Sequence, residues 1–349
     1  MGAALALAER GRGRTAPNPN VGCVLVRDGR VVGRGWTRPG GRPHAEAEAL
    51  RQAGPKSRGA TCFTTLEPCA HRSHRGPTCS DLLLEAGIAR VVAAIGDPDP
   101  RTNGDGFARL EAAGVAVEVG LRAEEAQRSM AGFLTRRALG RPHVTLKLAT
   151  SLDGRIALAS GESRWITGPD ARAHAHLERA RHEAILVGRG TWEADRPRLD
   201  VRSPGLEGRS PRRVVLSSGH AHPSHSATPS GPLPSPVGRG KGPCEARRKG
   251  EGDAVERLAS PHAIADLAQV DHLLVEGGAQ TAAAFLRADL VDRLLLYRAP
   301  ILVGAGLAAV GDIGLTDLAG AHGRWRLHDA RQLGSDRLEV YERARCSQA

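Results

Sequence analysis

The chain has 349 residues, 40% of them hydrophobic, enough for two compact domains with a core each. No apolar run approaches the ~18 residues of a membrane span, and the N-terminal "MGAALALAERGRGR" lacks a signal peptide's charge-first order, which points to a soluble cytoplasmic protein without membrane partners. The formal charge of +11 suits a phosphate-bearing partner, but with 3% aromatic residues there are few platforms for stacking bases, so nucleic acid is not the expected partner and a small phosphorylated substrate serves equally well.

The elements follow in chain order. "VGCVLV" and "RVVGRGW" read as a hairpin around Asp28-Gly29, a pair that readily takes the positive φ angles of a tight turn. "HAEAEALRQAG" reads as a helix closed by Gly54, "ATCFTT" as a strand, "CSDLLLEAG" as a helix closed by Gly87 and "ARVVAAIG" as the next strand. "GFARLEAAG" and "VAVEVG" repeat the helix and strand. Beyond Gly140 a second series begins with "HVTLKLATSLDGRIAL", then a helix around Pro169 to Arg181, the strand "AILVG", and "RRVVLSS", "DHLLVEGG" and "VDRLLLYRAPILVG". This alternation implies two α/β domains, 1–140 and 141–345. Between them in the second series, Gly219 to Gly252 holds only Leu233 and Val237 as large apolar residues among many Pro, Gly and Ser. It is expected to be a disordered insertion, since so little apolar surface does not offset its ordering entropy.

Cys23, Cys62, Cys69, Cys79, Cys244 and Cys346 show no disulfide-framework spacing, so reduced thiols, some serving a metal, are expected. His44 opens a helix after Pro43, and Cys69 and Cys79 flank a turn that leads into another helix. Helix N-termini favour the thiolates that zinc requires, and one imidazole with two thiolates leaves a tetrahedral position open for water, as catalytic sites do. Glu46 then lies within reach of that water as a proton shuttle. An H-x-E pair alone is more often an ordinary first helical turn, and His71 or His74 would replace Cys79 if the ligand set differs. Zinc nucleobase deaminases carry H-x-E with P-C-x-x-C; here "HAE" and "EPC" fit, but the second cysteine comes ten residues after the first.

The motifs "PNPNVGCVLV", "HAEAEAL", "TLEPCAH", "GPTC", "LKLATSLDGRIA", "SGESRWITG", "ADRPRLDVR" and "LLVEGG", in this order, resemble the bifunctional RibD family of riboflavin biosynthesis, over residues 1 to about 345. The resemblance implies an N-terminal cytidine-deaminase-like three-layer α/β/α domain and a C-terminal dihydrofolate-reductase-like α/β domain. It implies that His44, Cys69 and Cys79 bind Zn2+, that Glu46 shuttles protons, and that Asn18 and Asn20 line the pyrimidine pocket. The longer gap between the cysteines suits that family, which carries a loop there.

In the second half, "LLVEGG" and "AILVGRGTW" are strands that pass through glycines into helices, where N–H groups can approach phosphates. No G-x-G-x-x-G follows a strand, so a Rossmann domain is not supported. The resemblance implies NADPH held by Ala149, Trp165, Thr167, Thr191, Asp195, Gly277 and Gly278. It likewise implies substrate held by Ser163, Arg179, Leu199, Arg202 and Glu276, with Asp195 as the acid near the sugar carbon that accepts hydride. Lys147, the one lysine of this half outside the insertion, joins them as a residue whose role arginine does not fill. Two features depart from the family: Arg196 stands where a second acid follows the one matched by Asp195, and the insertion occupies a place where a strand and helix should follow "RRVVLSS". The resemblance therefore implies deamination of a phosphoribosylamino-pyrimidine followed by reduction of its ribose. A deaminase with an impaired reductase half, or a deaminase acting on a nucleic-acid base, are the rivals, and self-association is left open.

Overall fold

The computed structural model describes residues 1–71, 76–217 and 255–344. The expected insertion at Gly219 to Gly252, His74, Cys244 and Cys346 lie outside the described residues. In the first half the elements are α1 (Gly2–Ala8), β1 (Gly22–Arg27), β2 (Arg30–Trp36), α2 (Ala45–Ala53), β3 (Thr61–Thr64), α3 (Cys79–Glu85), β4 (Arg90–Ala93), α4 (Asp105–Ala112), β5 (Ala116–Val119), α5 (Ala123–Ser129) and α6 (Ala131–Leu139). The sheet order is β2-β1-β3-β4-β5. β1 runs antiparallel to β2 and β3, and β3, β4 and β5 are mutually parallel.

The hairpin forms where Asp28 and Gly29 both take positive φ, 50° and 71°. Alternation along β1 then builds two faces. Cys23 and Leu25 pack with Ala45 and Ala49 of α2 and Leu83 of α3. Val24 packs with Ala4 and Leu7 of α1. Helices therefore cover both sides of the sheet.

The second half comprises β6 (His143–Thr150), β7 (Arg155–Ala157), α7 (Pro169–Arg179), β8 (Ala184–Gly188), α8 (Arg189–Asp195), β9 (Arg212–Leu216), β10 (Val255–Leu258), β11 (His272–Val275), α9 (Ala279–Arg287), β12 (Arg293–Arg298), β13 (Leu307–Ala308), β14 (Trp325–Leu333) and β15 (Asp336–Arg343). Its large sheet has the order β10-β9-β8-β11-β6-β12-β15-β14, with β7 and β13 paired apart from it. The strands β10 through β12 are parallel, and the β14–β15 hairpin adds antiparallel to β12. Ala184 and Leu186 of β8 face a core with Phe285 of α9, while Ile185 and Val187 face Leu199 and Trp192 of α8. β9 and β10, which bracket the 218–254 stretch, pair in register from Arg213 with Val255 to Leu216 with Leu258. One expectation is corrected: the run after "LLLYR" is not a continued strand. β12 stops at Arg298, and Ile301 and Leu302 lie exposed on the surface.

Polar contacts join the halves. Arg136 of α6 donates to the carbonyls of Gly140, Ala265, Leu267 and Val270 at 2.6–2.9 Å. Gly132 N–H donates to His272 Nε2 across the same boundary, and directly after it Arg141 grips Asp292 within the second half with both terminal nitrogens, at 2.7 and 3.0 Å. Charged donors to otherwise unanswered carbonyls are among the stronger hydrogen bonds. Replacement of Arg136 by Ala is expected to cost about 2 kcal/mol of unfolding free energy, measured by urea titration, with Lys restoring less than half because one ammonium does not span four carbonyls.

Candidate active site

The first cluster gathers at the C-terminal end of β3. His44 is the N-cap of α2, in extended conformation at φ −71° and ψ 163°, so its ring is directed from the helix start. Cys79 is the first residue of α3, where Thr78 caps the helix by accepting from Asp81 N–H. Cys69 arrives on the loop after β3. His44 Nδ1 lies 3.3 Å from Cys79 Sγ and 3.6 Å from Cys69 Sγ, and the ligand atoms of the three residues all lie within 4.8 Å of one another. Among the described residues no other cluster offers a metal three such donors. His71 is elsewhere engaged, with Nδ1 3.2 Å from Thr102 Oγ1.

The chemistry of this donor set fits zinc. One imidazole and two sulfurs are its usual protein ligands, and three of them leave the coordination sphere incomplete. Cys69 Sγ accepts from the Cys79 backbone N–H at 3.3 Å. The Cys79 thiol, then His44 and that N–H, draw Cys69 toward thiolate, while the same pairing, together with burial, pushes the Cys79 thiol up. A dication held by His44, Cys69 and Cys79 would require both sulfurs as thiolates.

Glu46 is 3% exposed and its Oε2 lies 3.4 Å from Cys79 Sγ. Burial pushes its carboxyl up from the ordinary value, against the opposing charge of His44, which favours a group that both takes and returns a proton. Asn18 Nδ2 lies 3.0 Å from His44 Nε2 and donates to the Gly41 carbonyl, so Asn18 sits at the cluster. Asn20 is placed differently: its amide donates to the Ala8 carbonyl and to Ser129 carbonyl and hydroxyl, bracing α1 and α5.

A second cluster lies at the C-terminal ends of the parallel strands of the large sheet. Glu276, directly after β11, accepts from Arg179 Nε and Nη2 at 2.7 and 2.8 Å and lies 3.8 Å from Lys147 Nζ of β6. Burial alone would push the Glu276 carboxyl up, but the charges of Lys147 and Arg179 outweigh it and hold it at about 2. Arg179 also donates to the Asp200 carbonyl, so most of its guanidinium is engaged within the protein. Gly277 and Gly278 lead into α9; Gly278 has φ 74°, and a Cβ there would meet Thr191 Oγ1 of α8 at 3.0 Å. The glycine turns after β8 and β11 thus abut, and a backbone cradle open to a phosphate is kept by the absence of a side chain. This fits a dinucleotide laid across the strand ends.

The remaining expected residues are more scattered. Ala149 lies near the end of β6. Ser163 and Trp165 are exposed between β7 and α7, with Arg172 stacked 4.6 Å from the Trp165 ring centre. Thr167 is buried and its carbonyl accepts from Arg172. Leu199 is 4% exposed and packs with Ile185, Val187 and Leu274, so its side chain belongs to the core. Asp195 is the exposed last residue of α8, followed by Arg196 at φ 41°, and Arg202 Nε lies 3.5 Å from Asp200 Oδ1. Among the described residues no hydrogen bond or ion pair joins Asp195 to the Glu276 cluster.

Two residues at these clusters carry no signal in a one-dimensional reading. Tyr297 looks like one more apolar strand position, yet its hydroxyl bonds His174 Nδ1 at 2.8 Å and its ring faces Lys147 Nζ. Glu67 looks like part of the Glu-Pro-Cys motif, yet its carboxylate collects backbone N–H groups from the loop after β4 and the first turn of α4. A groove of 1530 Å³ between the halves, lined by residues such as Arg12, Asp97, Thr135 and His143, contains none of the expected site residues.

The family model described as the cytidine and deoxycytidylate deaminase zinc-binding region matches residues 1–95, and that described as the RibD C-terminal domain matches residues 142–338. The riboflavin biosynthesis protein RibD of Escherichia coli K12 is 41% identical, over 96% of this chain and 96% of its own length. That of Aquifex aeolicus is 37% identical, over 98% and 97%. The solved structure of Acinetobacter baumannii RibD superposes with TM-score 0.80 at 36% identity, covering 99% of this chain and 98% of its own. The Thermotoga maritima diaminohydroxyphosphoribosylaminopyrimidine deaminase/5-amino-6-(5-phosphoribosylamino)uracil reductase gives 0.79 at 32%, covering 98% and 97%. The cluster geometry generates its own test. Metal analysis by mass spectrometry is expected to find one zinc per chain, lost in Cys69→Ser or Cys79→Ser and retained in Cys62→Ser, whose sulfur lies outside the cluster.

Proposed function

The chain belongs to the RibD family of riboflavin biosynthesis, and we propose that it deaminates a diaminopyrimidine ribosyl phosphate in its first 140 residues and reduces the product's ribose to a ribityl chain in residues 141–345. It is a zinc-dependent deaminase and a reductase in one chain. The observation that carries the first activity is the His44, Cys69 and Cys79 triad with Glu46 beside it. When bound, zinc supplies Lewis acidity that brings the pKa of water toward neutrality.

The rest of the deamination chemistry falls to side chains. Glu46, fixed in the first turn of α2 and shut off from bulk water, takes the proton of the attacking water on its carboxylate and returns it to the pyrimidine ring nitrogen. A second transfer goes to the departing amine, so nitrogen leaves as ammonia. Asn18, against His44, orients the ring from the other side.

In the second half NADPH, when bound, supplies the hydride for the sugar's C1. Gly277 and Gly278 admit its phosphates to the start of α9, with Thr191 adjacent. Lys147 is held between Glu276 and the Tyr297 ring, which presents its ammonium at the strand ends as a hydrogen-bond donor to the sugar. Arg202, exposed beside Asp200, is the arginine left to meet the substrate's phosphate. Asp195 serves as the acid near C1, with the positive charge of Arg196 next to it. That charge, where the family carries an acid, is what favours a second reading in which reduction is slow and deamination dominates.

The substrate is a small phosphorylated pyrimidine and not a nucleic acid, the protein acts in the cytoplasm, and self-association is compatible with both activities. Among the described residues no helix is long and apolar enough to cross a membrane. The deciding experiment incubates the zinc-loaded chain with the diaminopyrimidine ribosyl phosphate, with and without NADPH, and reads products by mass. Deaminated product in both and reduced product only with NADPH is the expected result; deamination alone selects the second reading, and no conversion rejects both. Glu46→Gln is expected to lower deamination at least 100-fold with zinc content unchanged. Asp195→Asn is expected to slow reduction alone, and an equal loss of deamination would count against separate sites.

A further inference from the structure

Two residues before Cys69, the chain carries a carboxylate that neither proposed reaction uses. Glu67 is 3% exposed. Its Oε1 accepts from the N–H groups of Gly104, Gly106 and Phe107 at 3.0, 2.9 and 3.3 Å, and its Oε2 from those of Asp97 and Gly104 at 3.0 and 3.1 Å. Gly104 is the N-cap of α4, so the carboxylate answers the first N–H groups of that helix, which have no partner within it. The helix start is thereby tied to the strand that delivers a zinc ligand.

The tie is tight from both sides. The Glu67 N–H donates to the Ile95 carbonyl at 3.0 Å, which sets the end of β3 against the end of β4. A Cβ at Gly106 would lie 2.1 Å from the Pro68 carbonyl oxygen, so the backbone of α4 touches the peptide directly before Cys69. His71, two residues after Cys69, faces Thr102 of the same loop. Cys69 is therefore gripped on either side by the 96–107 segment, and Glu67 supplies most of the grip. That segment is also anchored independently of Glu67, through the ion pair of Asp99 with Arg137 of α6.

We propose that Glu67 is a positioning residue of the zinc site, holding Cys69 Sγ opposite His44 Nδ1 before the metal arrives. The inference rests on the zinc reading of the triad and adds to it a residue outside the ligand set. Groups behind metal ligands set affinity because the unbound site otherwise spends binding energy on its own ordering, and their loss typically costs 10–100-fold. Glutamine at this position keeps the shape but directs an NH2 at the N–H groups of one carboxylate oxygen, so it weakens the grip without opening a cavity.

The test is zinc affinity of the full chain by competition with a chromophoric chelator, for the parent and Glu67→Gln. The expected result is zinc bound about 10–100-fold more weakly by the variant, with far-UV circular dichroism unchanged. The visible spectrum of the cobalt-substituted variant should shift, and amide exchange across 97–107 should quicken. Zinc affinity within about twofold of the parent and an unchanged cobalt spectrum, even with a lower melting temperature, would reduce Glu67 to a brace for α4 and overturn the proposal. If Glu67→Gln does not fold, Gly106→Ala decides: it keeps the carboxylate group but sets a methyl against both the Pro68 carbonyl oxygen and Glu67 Oε1, at 2.1 and 3.0 Å, and so displaces the grip. Weaker zinc binding by that variant supports the grip on Cys69, and unchanged binding rejects it. A parent chain that takes up no zinc would sink the metal reading itself, and this inference with it.

Discussion

The backbone N–H groups at the start of a helix need acceptors, and the first half of this protein is organised around how three helices that start beside the C-terminal ends of the inner strands β3 and β4 find or forgo them. At α3 the acceptors are the Thr78 hydroxyl and the Cys69 sulfur, which takes the Cys79 N–H. At α4 the acceptor is Glu67. At α2 the N-cap is His44, whose side chain makes no cap bond and is turned instead toward the two sulfurs. The electrostatics that hold the helix starts together are the same electrostatics that favour thiolates and an anion at these strand ends. Structural need and metal chemistry are thus met by one arrangement, which explains how so short a set of residues carries both.

The second half solves a different problem, the burial of a charge. Glu276 is placed at the end of a fully buried strand, where an isolated carboxylate would be neutralised by protonation. Lys147 from β6 and Arg179 from α7 keep it ionised, and in turn it keeps them oriented. The cluster is only assembled when β11, β6 and α7 are in register, so it is sensitive to anything that shifts β11. That strand begins one residue after Asp271, and its lead-in loop supplies Ala265, Leu267 and Val270 as acceptors for Arg136 of α6. A helix of the first half therefore sets the position of a strand that carries the second half's site.

Much of this was legible in the sequence, for reasons that can be given residue by residue. Gly54 and Gly87 mark helix ends because only a residue free of a Cβ readily takes positive φ there, and both do, at 53° and 68°. His44, Cys69 and Cys79, which the fold brings together, stood out because zinc chemistry demands particular atoms in a particular local context. The C-terminal hairpin β14–β15 was not, since β14 is exposed along most of its length and shows no apolar alternation for the eye to follow. Helices α1, α5 and α6 lacked the strand-helix-glycine rhythm that identified the others. Glu67 and Tyr297 were opaque for a further reason: their partners lie 30 to 40 and 123 residues away. No local pattern records a contact made by topology.

The charge of the chain also changes meaning once the fold is known. A formal +11, carried mostly by arginine scattered along the chain, invites a polyanion-binding reading in one dimension that the scarcity of aromatic residues already weakens. In three dimensions many of these arginines are internal fittings. Arg136 binds carbonyls, Arg141 and Arg293 hold the buried carboxylates of Asp292 and Glu178, and Arg179 holds Glu276. Arg12 is itself buried between the halves. A planar guanidinium with five donors can satisfy several acceptors at once, which an ammonium does not. Arginine here acts as the mortar of a two-part enzyme, and lysine is kept at Lys147, where a compact point charge between a carboxylate and a ring is what the site requires. Net charge counted from composition is therefore weak evidence about partners whenever its carriers are turned inward.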